Sequence, residues 1–333
     1  MKQVKYCLFS GKAALPEVLK PTKPRDAQQA IWPLTMSGLF AWQAAFKRFG
    51  GEGELSANLT REFMEHFDVI HVNYTPGNPS YVAAIRDVLG KSDTKIVMNV
   101  DHAIDMFSTM DYFTFEKMSS SADFIFHVEE HGSRRLERQL ERKVWCIPHP
   151  VDVWTITKFY RQMVPTSHVI SVQHHRYLNN WEYGFYATRK IRKEYDVSTV
   201  LMNYWLGERP PVPIDAYFDD ILDRMEYPDY IQALAESYIN MDVTPHHTYG
   251  RGVIDAAALG IPTVGSNTIA AMRELFPLLA CDPVDDAKME ELIRRLMNEP
   301  EFMQLCVDSA LDMVKQYDFT HAVERWNEMT ESV

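Results

Sequence analysis

The chain has 333 residues, 46% of them hydrophobic and 24% charged, and a formal net charge of −12. That length exceeds one ordinary hydrophobic core and suits about two domains, and the composition excludes a disordered or collagen-like chain. No run of 18 apolar residues occurs, so no membrane span is expected, and the apolar stretch near the N-terminus is too short for a signal peptide.

Charge is unevenly placed. Residues 1–150 carry 18 basic and 18 acidic side chains, and the remainder carries 16 basic and 28 acidic. The asymmetry supports a two-part chain. It argues against a large nucleic-acid footprint, which needs a basic face, but the neutral half leaves room for a local basic groove. Cys7, Cys146, Cys281 and Cys306 are scattered, with no Cys-x-x-Cys spacing. Free thiols and a cytoplasmic location are the expectation.

In chain order, strands alternate with helical patterns, which predicts an α/β fold with mainly parallel sheets. VKYCLFSG reads as the first strand, and PLTMSGLFAWQAAFKRFG as a helix stopped by Gly50-Gly51. FDVIHVNY is a buried strand, SYVAAIRDVL a helix, TKIVMNVDHA a strand. ADFIFHV is a further strand that runs into the charged helix EEHGSRRLERQLER, and KVWCIPHPVDV closes this half. The rhythm then restarts with strand HVISVQHH, helix WEYGFYATRKIRKEY and strand STVLMNYW. DYIQALAESYIN reads as a helix and MDVTPHH as a short strand. A helix at 252–259, a strand at 261–264 and a helix at 268–275 follow. DDAKMEELIRRLMNE and a single stretch from about 301 to 332 end the chain as two helices. MVPTS reads as a hinge between the halves.

The segment HHTYGRGVIDAAALGIPTVG carries the chemistry. A strand, a glycine turn and a helix form a mouth where the first helical N–H groups lack backbone partners and the dipole is positive. Such a mouth binds anions. Gly250 and Gly252 let a ligand approach the backbone closely. Asp255, one turn inside the helix, can hold ribose hydroxyls. The plainer reading of the same residues is an ordinary helix entrance.

The segment resembles retaining glycosyltransferases of the GT-B fold, of the large group-4 type. In that family a strand ends in Pro-Ser, and a Glu-Gly-Phe-Gly loop, a helix with Glu-Ala and Gly-x-Pro-Val-Val follow. Here Pro245-His246 matches Pro-Ser, and His247-Thr248-Tyr249-Gly250 matches the loop. Asp255-Ala256 matches Glu-Ala, Gly260 to Val264 the next strand, and Glu274 the last acid. ADFIFHVEEHGSRRLERQLERKVWCIPHPVD resembles the family's crossover, with His149-Pro150 where Asn-Gly is usual. TMSGLFAWQAAF resembles its first helix and NVDHAID the segment that carries a sugar-side His. YDFTHAVERWNEMTE resembles its C-terminal helix.

The resemblance implies two Rossmann-like doubly wound domains facing a cleft, with the C-terminal helix packing back on the first. The boundaries expected are 1–158, 159–315 and 316–333. It implies a metal-independent, retaining hexosyltransferase-like enzyme that uses a UDP- or GDP-linked sugar as co-substrate and needs no further cofactor. His102, His247 and Arg176 are the implied catalytic residues, with Asp101 the alternative to His102 at the sugar pocket. Gly250, Arg251, Gly252, Asp255, Asn180 and Tyr249 are the implied donor-binding residues. At the donor site the chain departs from the family: His247 stands where a Glu is usual, Asp255 where the second Glu is usual, and Asn179-Asn180 where a Lys is usual. The acceptor implied is a glycan, a small molecule or a modified DNA base. The alternative is a catalytically degenerate scaffold that binds a sugar nucleotide or a partner protein. An epimerase or phosphorylase of the same fold is a third reading.

Other motifs weigh less. His127, Glu130 and His131 spell a zinc-protease-like pattern, but His127 reads as strand rather than helix, so no metal site is expected. The pairs His174-His175 and His246-His247 suit cleft lining better than chelation. Trp32, Phe40, Trp42, Phe46 and Phe49 read as a core-facing helix before a membrane-contacting one. RRLERQLERK reads as a solvated helix face, or a contact for an anionic acceptor.

Overall fold

The computed structural model describes residues 3–9, 38–39, 41–74, 81–161, 168–173, 184–202, 218–222 and 227–332. They form two compact units, one from the residues up to Val151 together with Tyr317–Val333, the other from Asp152–Gln316.

The first unit runs β1 (Lys5–Phe9), α1 (Ala41–Arg48), β2 (Glu52–Ser56), α2 (Arg61–Met64), β3 (Val69–Tyr74), α3 (Tyr81–Leu89), β4 (Lys95–Val100), α4 (Thr109–Ser119), β5 (Phe124–His127), α5 (Glu130–Leu140) and β6 (Trp145–Cys146). The second runs α6 (Val153–Phe159), β7 (Val169–Gln173), α7 (Phe185–Tyr195), β8 (Ser198–Met202), β9 (Asp220–Leu222), α8 (Tyr227–Ala235), β10 (Ile239–Asp242), α9 (Arg251–Leu259), β11 (Thr263–Ser266), α10 (Ala270–Leu275), β12 (Ala280–Cys281), α11 (Asp286–Asn298) and α12 (Pro300–Met313). The chain then closes the first unit with α13 (Phe319–Thr330).

Each unit holds a six-stranded, all-parallel sheet, in the orders β2-β1-β3-β4-β5-β6 and β12-β11-β10-β7-β8-β9. Helices cover both faces of such sheets, so central strands are apolar almost throughout. Five of the six β3 residues and all four of β5 are buried. The strand order reverses between β1 and β3 in one unit and between β7 and β10 in the other, and ligands bind beyond the strand ends at such points.

An aromatic cluster fills one side of the first sheet. Trp326 of α13 lies 4.9 Å from Trp42 and 5.5 Å from Phe46 of α1, centroid to centroid, and 5.8 Å from Phe126 of β5. Two histidines sit among these rings. His71 accepts a hydrogen bond at Nδ1 from the Tyr6 hydroxyl (2.6 Å) and donates from Nε2 to Asn99 Oδ1 (2.7 Å). Burial pushes its pKa down to about 3, against the weaker upward pull of the Asn99 bond. The folded state thus keeps His71 neutral while the unfolded chain binds a proton below about pH 6.5. Its contribution to stability is present above that pH and is lost as the pH falls toward 3. The expected slope from this one group approaches about 1.4 kcal/mol per pH unit. Urea unfolding at stepped pH values checks this, and a His71→Gln variant should flatten the dependence.

Several sequence expectations need correction. The last stretch is two helices rather than one, because a 3₁₀ turn at Val314–Tyr317 breaks α12 from α13. The helix expected over 33–50 is helical only from Ala41 to Arg48 among the described residues. The strand expected at MDVTPHH begins earlier, at Ile239, so α8 ends at Ala235. β2, α2, α4, α6, β9 and β12 had no expectation; the apolar residues of α4, for one, form no stripe. All four cysteines are free. Among the described residues no helix is long and apolar enough to cross a membrane.

Candidate functional site

In the second unit the strand order reverses between β7 and β10, and the N-terminus of α9 lies over that point. Gly252, in the first turn, sits so close that an added Cβ would lie 3.1 Å from both Asp242 Oδ2 and Gln173 Cδ. Asp242 ends β10 and Gln173 ends β7. A hydrogen-bonded layer fixes Gln173. Ser171 Oγ and Gln173 Nε2 both donate to Asn240 Oδ1, and Tyr230 Oη donates to Gln173 Oε1.

The loop from β10 to α9 is pinned to the turn after β11. Thr244 N donates to Ser266 Oγ (2.7 Å), Thr268 Oγ1 to the Thr244 carbonyl (2.6 Å), and the amides of Ala270 and Ala271 to the carbonyls of Thr248 and Tyr249. These bonds hold the His246-His247 step, half-buried, above the strand ends. Gly250 caps the helix at φ 86°, ψ 56°, a left-handed conformation that glycine adopts without strain. Tyr249 is buried beneath it.

From Val253 to Leu259 every residue of α9 is buried, Asp255 included. Its Oδ1 accepts from the Tyr227 hydroxyl at 2.6 Å. Its Oδ2 makes no hydrogen bond among the described residues and lies 3.6 Å from Arg251 Nε. Arg251 also lies over the Tyr227 ring, 5.7 Å from its centroid. Burial raises the Asp255 carboxyl to about 6, with Arg251 and the Tyr227 bond pulling the other way. A buried carboxylate oxygen without a hydrogen bond is costly unless a ligand supplies one.

His102 follows β4 in the first unit and is half-buried. Its carbonyl accepts from Nε2 of His127 (3.1 Å), whose Nδ1 accepts from the Glu129 amide (3.1 Å). Both ring nitrogens of His127 are therefore engaged by backbone, and its ring packs against Gly132, where an added Cβ would lie 2.2 Å away. This explains the His-x-x-Glu-His spelling without a metal. The Glu129 side chain caps α5, accepting from the amides of His131 and Gly132.

The structure thus gathers Tyr249, Gly250, Arg251, Gly252 and Asp255 at one helix mouth, with His247 in the loop that leads to it. His102 lies in the other unit. Arg176 and Asn180, and the pair His174-His175, lie outside the described residues. The spacing of residues gave no sign of Gln173, Tyr227 or Asp242. A polar residue ending each buried strand, at Gln173 and Asp242, is the signal that could have found two of them.

Two Rossmann-like units of parallel sheet, the first completed by the final helix, constitute the GT-B fold. The sequence matches no protein-family model and no curated protein. Among solved structures the chain is similar to an alpha-glucosyltransferase in complex with UDP and a 13-mer DNA containing an HMU base. The TM-score is 0.66 at 12% identity, over 99% of this chain and 100% of that one. It is similar to a sucrose-phosphate synthase from Thermosynechococcus elongatus, with TM-score 0.66 at 11% identity over 99% and 98% of the two chains. For the trehalose 6-phosphate synthase of Burkholderia multivorans the values are 0.62 and 15%, over 79% of this chain and 71% of that one. At such identities the likeness is one of fold.

Proposed function

We propose that the chain is a glycosyltransferase of the group-4-like retaining type, which moves a sugar from a UDP- or GDP-linked donor to an acceptor hydroxyl. The observation that carries this reading is Asp255. A carboxylate fully inside α9, with Oδ2 lacking a hydrogen bond, is suited to the paired hydroxyls of a ribose. The amides at Gly250 to Gly252 face the donor diphosphate in this reading, and negative charge that grows on the leaving phosphate is met by fixed dipoles. His247 and Arg176 contribute at the sugar and the diphosphate, Asn180 and Tyr249 line the donor, and His102 of the first unit serves the sugar. No metal ion is invoked. The acceptor we favour is a hydroxymethylated base in DNA: of the two enzymes named above that are alike over the full length of both chains, one is bound to DNA with an HMU base and the other is the sucrose-phosphate synthase.

A thermal-shift panel of UDP, GDP, ADP, dTDP and CMP forms tests donor binding. One base at 100 times its dissociation constant adds about 2.7 kcal/mol of stability. Transfer of labelled sugar to hydroxymethylated DNA, and not to unmodified DNA, tests the acceptor. Binding without transfer to any acceptor would favour the scaffold reading, which the His at 247 and the engagement of Arg251 by Asp255 support.

The site also carries a pH dependence. Ionised carboxylates accept hydroxyl hydrogen bonds more strongly than protonated ones. With Asp255 held up near 6, nucleotide-sugar affinity should be full above that pH and weaken as pH falls through it. Below pH 6 the expected loss approaches tenfold per pH unit, about 1.4 kcal/mol. A nucleotide sugar is the right probe, because its diphosphate does not titrate there. An Asp255→Asn variant should bind weakly and with no such pH dependence; an unchanged profile would place the titrating group elsewhere.

A further inference from the structure

Helix α8 turns two tyrosines toward the mouth of α9. Tyr227 and Tyr230 are three residues apart and share one face of the helix. Both are buried, and their rings lie 6.1 Å apart at an angle of 21°. Their hydroxyls go to different partners. Tyr230 donates to Gln173 Oε1 at 3.1 Å, at the end of β7, and Tyr227 donates to Asp255 Oδ1 at 2.6 Å. A carboxylate only accepts, and its bond from a phenol hydroxyl is of the short, charge-assisted kind.

That bond gives the two Asp255 oxygens different roles. Oδ1 is taken by Tyr227. Oδ2 has no hydrogen bond among the described residues, and Arg251 Nε, at 3.6 Å, is beyond hydrogen-bond reach of it. The anchor comes from a separate helix, so the carboxylate cannot turn about its side-chain bonds without breaking it. Among the described residues, α6, β10, β11, α10 and α12 also pack against α9 but bring Asp255 no titratable group that shifts it. Tyr227 from α8 and Arg251 from α9 itself are the two groups that do.

We infer that Tyr227 is a positioning residue: by holding Oδ1 of Asp255 it aims Oδ2 at a ribose hydroxyl of the nucleotide sugar. The inference deepens the donor-site reading and rests on it for the nature of the ligand; the Tyr227–Asp255 coupling rests on the hydrogen-bond geometry. With one oxygen anchored, a single oxygen is left for the ligand, so one hydroxyl of the ribose pair is held more firmly than the other. No proton moves in this arrangement.

The test has two arms. The first follows the Asp255 carboxyl by NMR in protein labelled with carbon-13 aspartate, assigned by an Asp255→Asn variant. Tyr227→Phe keeps the ring under Arg251 and removes only the hydroxyl. Loss of a bond to the charged form should raise the titration midpoint by about one pH unit or more. Tyr230→Phe removes a hydroxyl from the same helix without touching Asp255, and should leave the midpoint where it is. An unmoved midpoint in Tyr227→Phe, or an equal rise in Tyr230→Phe, overturns the coupling.

The second arm measures affinity for UDP-glucose and GDP-glucose and for the 2′-deoxy and 3′-deoxy forms of whichever binds, at a pH above both midpoints. In the wild-type protein one of the two deoxy forms should bind about tenfold or more weaker than the parent, the loss of a hydrogen bond to a charged group. In Tyr227→Phe that penalty should shrink to within about threefold, because the hydroxyl and the tyrosine act through the same carboxylate. A hydroxyl that served packing alone would leave the penalty unchanged, and an unchanged penalty overturns the positioning role. A wild-type protein that binds neither sugar nucleotide, or loses nothing with either deoxy form, counts against the donor-site reading; the carboxyl titration then decides the Tyr227–Asp255 coupling by itself.

Discussion

Replacing Trp326 with alanine is expected to lower stability by about 3–5 kcal/mol, the range for removing a buried large aromatic. The ring is fully buried and meets five others: Tyr6 (5.7 Å), Trp42 (4.9 Å), Phe46 (5.5 Å), His71 (5.2 Å) and Phe126 (5.8 Å). These come from β1, α1, β3 and β5, so one side chain of α13 ties together much of the first unit. Its Nε1 is buried and makes no hydrogen bond among the described residues. Trp326→Phe therefore removes an unsatisfied donor along with some volume, and should cost much less, within about 1.5 kcal/mol. Urea unfolding followed by far-UV dichroism compares the two variants. An alanine variant within about 1 kcal/mol of wild type would show that α13 does not dock on these rings in solution.

The second large effect is expected at Gly250. An alanine there takes on a left-handed conformation, worth about 1–2 kcal/mol. Its Cβ would also lie 2.2 Å from Ile269 Cγ2, a contact that forces Ile269 to move. Overpacking of that kind adds about 1–3 kcal/mol. Together they should lower the stability of the second unit by about 2–5 kcal/mol. Ile269 is fully buried and lies in the turn that pins the loop carrying His247. Nucleotide binding should therefore weaken beyond what global stability requires. Isothermal titration on the variant, at a temperature where it is folded, separates the two effects. A double change, Gly250→Ala with Ile269→Ala, should relieve the clash and leave the backbone strain.

Much of the fold was legible because parallel strands buried on both faces are continuous apolar runs. VIHVNY and FIFH could be read directly, as could the amphipathic α11. Elements without such a signature were missed. β2, EGELS, has neither alternation nor an apolar run, and pairing with β1 is what makes it a strand. Between Tyr238 and Val243 the apolar residues alternate with Asn240 and Asp242, a strand pattern that the helix reading ran over, and the parallel partners β7 and β11 decide it. The break between α12 and α13 has no proline or glycine to mark it.

The same division applies to the site. Gly250, Gly252 and Asp255 share one loop and one helical turn, so their spacing carried the information. Arg251 was read as a donor-binding residue, and the structure places its Nε 3.6 Å from Asp255 Oδ2, four residues on. Trp42 and His149 are 107 residues apart, and only the fold brings them together. No local pattern could have shown that His149, where the crossover resembles a family with Asn-Gly, becomes the buried acceptor for the Trp42 indole.

The first unit is discontinuous in the chain. Its sheet is written by Val151, but its last helix begins only at Phe319, after the whole of the second unit. During synthesis the faces of Trp42, Phe46 and His71 that Trp326 covers therefore stay open while more than half of the chain is still emerging from the ribosome. The described residues of the second unit all fall between Asp152 and Gln316, so they are all synthesised before α13. Folding order runs against reading order, and the N-terminal unit is the last to become watertight.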